Sequence, residues 1–294
     1  MPRQRRQRSS LWRGLLLSGL LALPLAAAAD AQAPAPDAAR DPLTGPRSRL
    51  QRDWVGARAL PADVPILVMA GHADSQGVGG AGTAGAAVDR FGASPMQPGM
   101  RDELYWNLQV AQRVVSLGVQ RGLRISFYDP PLRSIANGDD PRTNWSRGKA
   151  HAAGGGYALE IHFDAYGPDG VGSGVMPALH RPFSRLDESL AQEFGGYPMW
   201  FRGGLGGPRR GITLLEIGKL EAPLESALRN PASREQALAT IAERVVTALE
   251  RGLGRQPGDQ PAAAPPATLG VSPQPDGGGS APSAPGPQAS SGGG

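Results

Sequence analysis

Three side chains able to bind a metal or transfer a proton stand at the ends of apolar runs. His72 follows the run that ends at Ala70, in the motif AGH, and His162 ends a second run, in LEIH. Glu216 ends a third run, Ile-Thr-Leu-Leu. In open α/β sheets, ligands bind at the carboxyl ends of the strands. The shared position of these residues therefore indicates one common site.

Two carboxylates could complete such a site. Glu103 opens a helical pattern, where a carboxylate often does no more than complement the helix dipole. Glu216 differs, because a carboxylate rarely finishes a buried strand without a partner. Two histidines and one carboxylate form the open three-ligand set of a catalytic zinc, which leaves the fourth position for water. A second carboxylate can accept the proton of that water, and Glu216 has the right character for this role.

The absence of cysteine restricts the kinds of metal site available. The 294 residues contain no cysteine, so a zinc ion would be held by histidine and carboxylate ligands. The chain has four histidines, and the two not yet considered, His151 and His180, lie in Gly-rich or polar surroundings. We interpret His151 and His180 as surface residues.

The first 29 residues have the pattern of a secretory signal peptide. A basic stretch, MPRQRRQRSSLWRG, precedes an apolar run that ends in small residues at Ala29. That run is shorter than the roughly 20 residues of a spanning helix, so we expect a periplasmic or secreted protein without an integral membrane segment. The predicted signal peptide contains five arginines, and its removal changes the formal charge of the chain from +4 to −1. A nucleic-acid partner is therefore not predicted.

Composition divides the remainder of the chain into a domain and two flanking segments. Residues 30–59 are predicted to be a disordered linker, and residues 255–294 a disordered tail rich in Pro, Gly, Ala and Ser. Such segments bury too little apolar surface to offset chain entropy. Residues 60–254 are enough for one domain with its own core.

Short apolar runs alternate with helical patterns inside this domain. Runs typical of buried strands cover residues 65–70, 124–128, 157–162 and 211–216. Apolar residues at steps of three and four predict a helix over residues 103–117 and a last helix ending near Gly252. In the last helix, Ser233 and Gln236 form the pattern of a capping box. Strands separated by helices predict a single α/β domain.

The order of these motifs resembles one known family. Four motifs follow one another over residues 65–253 in the order found in the zinc-dependent N-acetylmuramoyl-L-alanine amidases of bacterial cell walls. They are AGH, a helix that begins with ELYWNLQVAQRVVSLGVQRG, EIHFDA and LLEIGKL. The resemblance implies that zinc is held by His72, Glu103 and His162, and that Glu216 is the catalytic glutamate.

The resemblance also carries expectations for the fold, the reaction and further residues. It implies a mixed, mostly parallel sheet flanked by helices on both faces. The implied reaction is hydrolysis of the amide between N-acetylmuramic acid and L-alanine in peptidoglycan or a muropeptide. Arg133 and Asn137 stand in the place of the family's Arg and Ala-Asn region, which makes them candidates for supporting the ligands or contacting substrate.

Two carboxylates near the histidines depart from the family pattern. Glu160 replaces the small polar residue usual two positions before the second histidine, and strand alternation puts it on the face of His162. It could hold His162 in place, replace Glu103 as a ligand, or be a surface carboxylate. Asp74, in a loop where the family usually has GHGG, could orient His72 or be an ordinary loop carboxylate.

Other functions remain open from the sequence. A zinc amidase or peptidase that acts on a different amide would keep every ligand and differ only in its loops. A noncatalytic peptidoglycan-binding protein could have the same fold. In a purely structural protein, the histidines would pack and no metal would bind. Whether an activator protein takes part is not determined by these residues.

Overall fold

The computed structural model describes residues 40–179 and 182–256. The predicted signal peptide, residues 30–39 of the predicted linker, His180 and the predicted tail from residue 257 lie outside these ranges. Within them, the strands are β1 (Arg40–Asp41), β2 (Gly45–Pro46), β3 (Ile66–Ala70), β4 (Ile125–Tyr128), β5 (Tyr157–Asp164), β6 (Gly174–Met176) and β7 (Ile212–Lys219).

The helices of the same ranges lie between and after these strands. They are α1 (Ala86–Asp89), α2 (Asp102–Gln120), α3 (Asn144–Ala153), α4 (Arg185–Phe194), α5 (Leu224–Arg229) and α6 (Pro231–Gly252). Short 3₁₀ turns occur at Gly167–Asp169, Phe201–Gly203 and Pro208–Arg210. In the described part of the chain, no helix has both the length and the apolarity needed to cross a membrane.

The main sheet has the strand order β4-β3-β5-β7-β6. β4, β3, β5 and β7 run parallel to one another, and β6 pairs antiparallel with β7 at the edge. β1 and β2 form a separate antiparallel ribbon. The predicted α/β fold with a mixed, mostly parallel sheet is therefore confirmed. Because β3, β5 and β7 are adjacent and parallel, their carboxyl ends meet at one edge of the sheet.

Helices cover both faces of the sheet, as predicted. On one face, Leu159 and Ile161 of β5 belong to a core that also contains residues of α2, α4 and α6. On the other face lies α3, where a Cβ added to Gly148 would be 2.5 Å from a carbon of Ile212. Alternation along β5 puts its polar residues, Glu160 and His162, on the α3 side.

The start of α6 differs from the predicted capping box. The N-cap is Asn230, whose side-chain oxygen accepts the N–H of Ala232 at 3.0 Å. Pro231 occupies the first helical position, which suits a residue with a fixed φ and no N–H to satisfy. Ser233 thus lies inside the helix and donates its hydroxyl to the carbonyl of Ala227 at 2.9 Å. The capping-box prediction for Ser233 and Gln236 is wrong.

The prediction of a disordered linker over residues 30–59 is wrong for residues 40–59. Trp54 is only 5% exposed, and its Nε1 donates to the carbonyl of Tyr197 at 2.8 Å. Arg52 forms an ion pair with Glu188 at 2.8 Å, and Arg58 N–H donates to Phe183. Average composition suggested disorder, but one large aromatic side chain buries enough surface to fix a short segment.

Replacing Trp54 tests this docking. Trp54→Ala should lower the free energy of unfolding by about 3 kcal/mol, because it removes a large buried side chain and its hydrogen bond. The matched control is Val55→Ala, since Val55 is 69% exposed and should leave stability nearly unchanged. Urea unfolding measures both. Equal stability of the two variants would contradict the docked position of this segment.

Candidate metal centre

His72 begins the site at the end of β3. Its backbone φ is 62°, in the left-handed region that non-glycine residues seldom adopt, so the chain turns sharply just after the strand. The preceding Gly71 allows a close approach, since a Cβ there would lie 2.3 Å from Cε1 of His162. The His162 ring therefore packs directly on the backbone that carries His72.

Glu103 joins the two histidines. It lies in the first turn of α2 and is buried, so it is not a solvated first-turn carboxylate. Its Oε1 lies 3.3 Å from His72 Nε2 and 3.3 Å from His162 Nδ1. Its Oε2 accepts the N–H of Thr83 at 2.7 Å, which fixes the carboxylate from the preceding loop.

These three residues have the spacing of a metal site. One ligand atom of each of His72, Glu103 and His162 lies within 4.8 Å of the other two, and the imidazole planes are at 90°. Ligand atoms of a tetrahedral zinc are about 3.4 Å apart when each bond is about 2.1 Å. The two separations of 3.3 Å fit this requirement. The donor set and its spacing are thus compatible with zinc.

The electrostatics of the cluster favour a bound cation. Burial alone would raise the pKa of Glu103, but His72 and His162 hold it well below its usual range. Burial lowers the pKa of His162, while the neighbouring Glu103 and Glu160 raise it well above its usual value. Positive charge is therefore required among these carboxylates, and a divalent cation would supply it in place of a proton.

Glu216 lies beside this cluster on the neighbouring strand. It is the register partner of His162 across the β5–β7 pair, so the two side chains share one face. The residue is partly exposed, but its Oε2 is buried and has no hydrogen-bond partner among the described residues. Burial raises the pKa of Glu216 to about 8, against the opposing effect of His162. Such a carboxyl suits proton transfer near neutral pH.

Glu160 lies on the far side of His162 from Glu103. Its Oε2 is 3.7 Å from His162 Nε2, and its Oε1 accepts Asn144 Nδ2 at 3.0 Å. Glu160 is not part of the three-residue metal group, so the geometry does not support its replacing Glu103 as a ligand. Asp74 accepts the backbone N–H of Asn144 at 2.7 Å, an interaction that anchors α3 and does not orient the His72 ring.

The remaining candidates from the sequence lie outside the metal group. Arg133 forms a two-pronged ion pair with Asp129, and its Nη1 reaches the carbonyl of Ala73 at 3.5 Å. Asn137 is exposed, and its side chain accepts the N–H of Asp139 at 3.0 Å. Both residues stabilise the loop after β4, and Arg133 also ties it to the loop that follows His72.

His151 is not the free surface residue that the sequence suggested. It is half-buried near the end of α3, and its Nε2 lies 2.9 Å from the carbonyl of Pro65. It thus links α3 to the start of β3, away from the metal group.

Two buried asparagines were not identified from the sequence. Asn107 Nδ2 donates to the carbonyl of Gly71 at 3.0 Å, and Asn144 Nδ2 donates to the carbonyl of Ala70 at 2.6 Å. Together they hold the backbone that leads into His72. A signal for Asn107 existed, since it lies among the buried apolar residues of α2 four residues after Glu103. Asn144 had no comparable local signal.

A cavity of about 420 Å³ opens beside the ligands. His72, Glu160 and His162 form part of its lining, and most of the other walls are apolar, including Trp145 and Leu214. Trp145 is 37% exposed, and the Arg210 guanidinium lies 4.5 Å from its ring centre. The candidate metal centre is therefore accessible from a space large enough for part of an organic substrate.

Solved structures similar to this chain include amidase catalytic domains. The catalytic domain of CwlV, an N-acetylmuramoyl-L-alanine amidase from Bacillus (Paenibacillus) polymyxa var. colistinus, is 16% identical, with a TM-score of 0.46, over 65% of this chain and 99% of that chain. The apo form of Ami1, an N-acetylmuramyl-L-alanine amidase from Mycobacterium abscessus, is 18% identical, with a TM-score of 0.44, over 64% of this chain and 98% of that chain. The CwlD amidase from Clostridioides difficile, in complex with the GerS lipoprotein, is 13% identical, with a TM-score of 0.43, over 65% and 98%. No family model and no curated protein match the sequence.

The contact between Gly71 and His162 gives a test of the site geometry. Gly71→Ala should weaken zinc binding at least tenfold, because the new methyl group would displace the His162 ring. Gly79→Ala is the matched control, since a Cβ there meets nothing within 4 Å. Competition with a chromophoric chelator measures both affinities. If both variants bind zinc with the affinity of the parent, the ring position is wrong.

Proposed function

We propose that this protein is a zinc-dependent N-acetylmuramoyl-L-alanine amidase, exported to the periplasm or the exterior, that cleaves peptidoglycan. The proposal is carried by the convergence of His72, Glu103 and His162 within 4.8 Å, with Glu216 paired in register beside His162. An open set of three ligands beside a carboxyl with a raised pKa is the arrangement that metal-assisted amide hydrolysis needs. The sequence motifs that resemble the amidases contain these same four residues.

The ligands would hold zinc at the carboxyl ends of β3 and β5 and at the start of α2. When bound, zinc supplies Lewis acidity for the scissile carbonyl and makes hydroxide available at neutral pH. Glu103 would be kept ionised by the two imidazoles, and its second oxygen is held by Thr83 N–H. Three protein ligands would leave the fourth position of a tetrahedral zinc for water or substrate.

Glu216 would transfer the proton that amide hydrolysis moves. A water attacks the lactyl carbonyl carbon and loses a proton, the C–N bond breaks, and the amine of L-alanine gains a proton. The pKa of Glu216 is raised to about 8 without metal, and a nearby cation would bring it back towards neutral pH, so that Glu216 can both accept and return that proton. Its Oε2 has no hydrogen-bond partner among the described residues, so no described hydrogen bond has to break when this oxygen takes up the proton.

The cavity beside the ligands would hold one side of the scissile bond. Its volume of about 420 Å³ is within the range typical of small-ligand pockets. The exposed part of Trp145 offers an apolar surface for a sugar face or an aliphatic side chain. We propose a muropeptide segment as its occupant.

Zinc content tests the metal site directly. The purified protein should contain one zinc per chain, and His72→Ala and His162→Ala should contain little, because each removes one of three ligands. His151→Ala should keep its zinc, since His151 bonds to Pro65 and not to the cluster. Elemental analysis measures all four proteins. A folded parent without affinity for zinc would contradict the proposal.

The role of Glu216 is tested by digestion of purified wall and muropeptides. Glu216→Gln should retain zinc and fold but lose at least 100-fold in hydrolysis rate, because no carboxyl remains to move the proton. Glu235→Gln is the matched control, since the Glu235 side chain is 74% exposed on α6. Mass spectrometry of the products also identifies the amide that is cut. A zinc-loaded parent that binds wall without cutting it would indicate a binding protein, and cleavage elsewhere would indicate a different amidase or a peptidase.

A further inference from the structure

His162 lies between two buried carboxylates, one at each ring nitrogen. Nδ1 is 3.3 Å from Glu103 Oε1, and Nε2 is 3.7 Å from Glu160 Oε2. Nε2 is buried and has no hydrogen bond within the described part of the chain, so no other described group competes with Glu160 for its proton. The two nitrogens therefore have different surroundings, with Glu103 and His72 on one side and Glu160 on the other.

The position of Glu160 is fixed from the opposite direction. Its Oε1 accepts Asn144 Nδ2 at 3.0 Å, and the same amide donates to the carbonyl of Ala70 at 2.6 Å. Asn144 also donates its backbone N–H to Asp74 at 2.7 Å. Asn144 therefore connects Glu160 to the end of β3, through Ala70, and to the loop after β3, through Asp74.

The first turn of α3 supports this arrangement electrostatically. Asn144 is the first residue of the helix, and the side chain of the N-cap Thr143 accepts the N–H of Ser146 at 3.1 Å. The backbone N–H of Asn144, at the positive end of the helix dipole, donates to Asp74, which reduces the cost of burying the charge of Asp74. Glu160 is only 3% exposed, and the contacts that hold it lead from α3 to His162.

We propose that Glu160 is a positioning residue that accepts the Nε2 proton of His162 and thereby presents Nδ1 to the metal. A hydrogen bond of about 2.9 Å requires the two atoms to approach by about 0.8 Å. A carboxylate on the outer nitrogen fixes both the tautomer and the ring orientation of a metal-binding histidine. The bound metal rests on the proposed function, whereas the test of Glu160 measures metal binding and does not depend on wall cleavage.

Glu160 variants test this role by two measurements that do not depend on catalysis. Glu160→Ala should weaken zinc binding by about 10-fold to 100-fold and should shift the Nε2–H resonance of His162 in the zinc-loaded protein, because that proton loses its acceptor. Glu160→Gln should fall between the parent and Glu160→Ala, because an amide oxygen can accept only a weaker hydrogen bond. Chelator competition gives the affinities, and ¹H–¹⁵N spectra of histidine-labelled, zinc-loaded protein give the Nε2–H resonance. Glu235→Gln should match the parent in both.

The outcomes separate this proposal from the proposed function. If the parent binds zinc but cuts no wall, the amidase function fails and both measurements still test Glu160. If the parent binds no zinc, the positioning role is overturned together with the amidase function, because Nδ1 then has no metal to bind. An unchanged Nε2–H resonance and a zinc affinity within threefold of the parent in Glu160→Gln and Glu160→Ala would overturn the positioning role. Should Glu160→Ala fail to fold, the nearly isosteric Glu160→Gln decides alone.

Discussion

The Glu103 carboxylate, buried and shared by two imidazoles, is the constraint on which the rest of the site depends. A buried charge is costly unless it is paired and hydrogen-bonded, and Glu103 satisfies this with His72, His162 and the N–H of Thr83. These partners come from a strand end, a second strand and a loop. The start of α2 must therefore lie against the ends of β3 and β5 for the charge to be buried at all.

The parallel sheet provides this juxtaposition. β5 lies between β3 and β7, so the residues that end these strands are neighbours in space although they are distant in sequence. The end of β3 is held from both sides, by Asn107 of α2 and by Asn144 of α3. Because α2 and α3 lie on opposite faces of the sheet, these two amides fix the backbone that enters the left-handed turn at His72. The same two hydrogen bonds therefore fix the main chain at His72 and, with it, the direction of the His72 side chain.

The distribution of charge connects this architecture to chemistry. Carboxylates outnumber the positive groups around His162, with Glu103, Glu160 and Glu216 all acting on its pKa. Glu103 and Glu160 have hydrogen-bond donors, whereas Glu216 Oε2 has none among the described residues. The well-partnered carboxylates suit structural and ligand roles, and the unpartnered one suits a role in which it gives and takes a proton. The cavity that His72, Glu160 and His162 help to line lies next to this cluster.

The sequence by itself determined the α/β class, four of the seven strands and two of the six helices of the described residues, and the position of His72, His162 and Glu216 at or near strand ends. These features follow from the local apolar pattern, which sets which segments are buried. Only the tertiary structure decided that Glu103 contacts both histidines, that Glu160 faces the other nitrogen of His162, and that Trp54 docks residues 40–59 on the domain. Those outcomes depend on strand order and side-chain direction between residues far apart in the chain, and no local pattern contains that information.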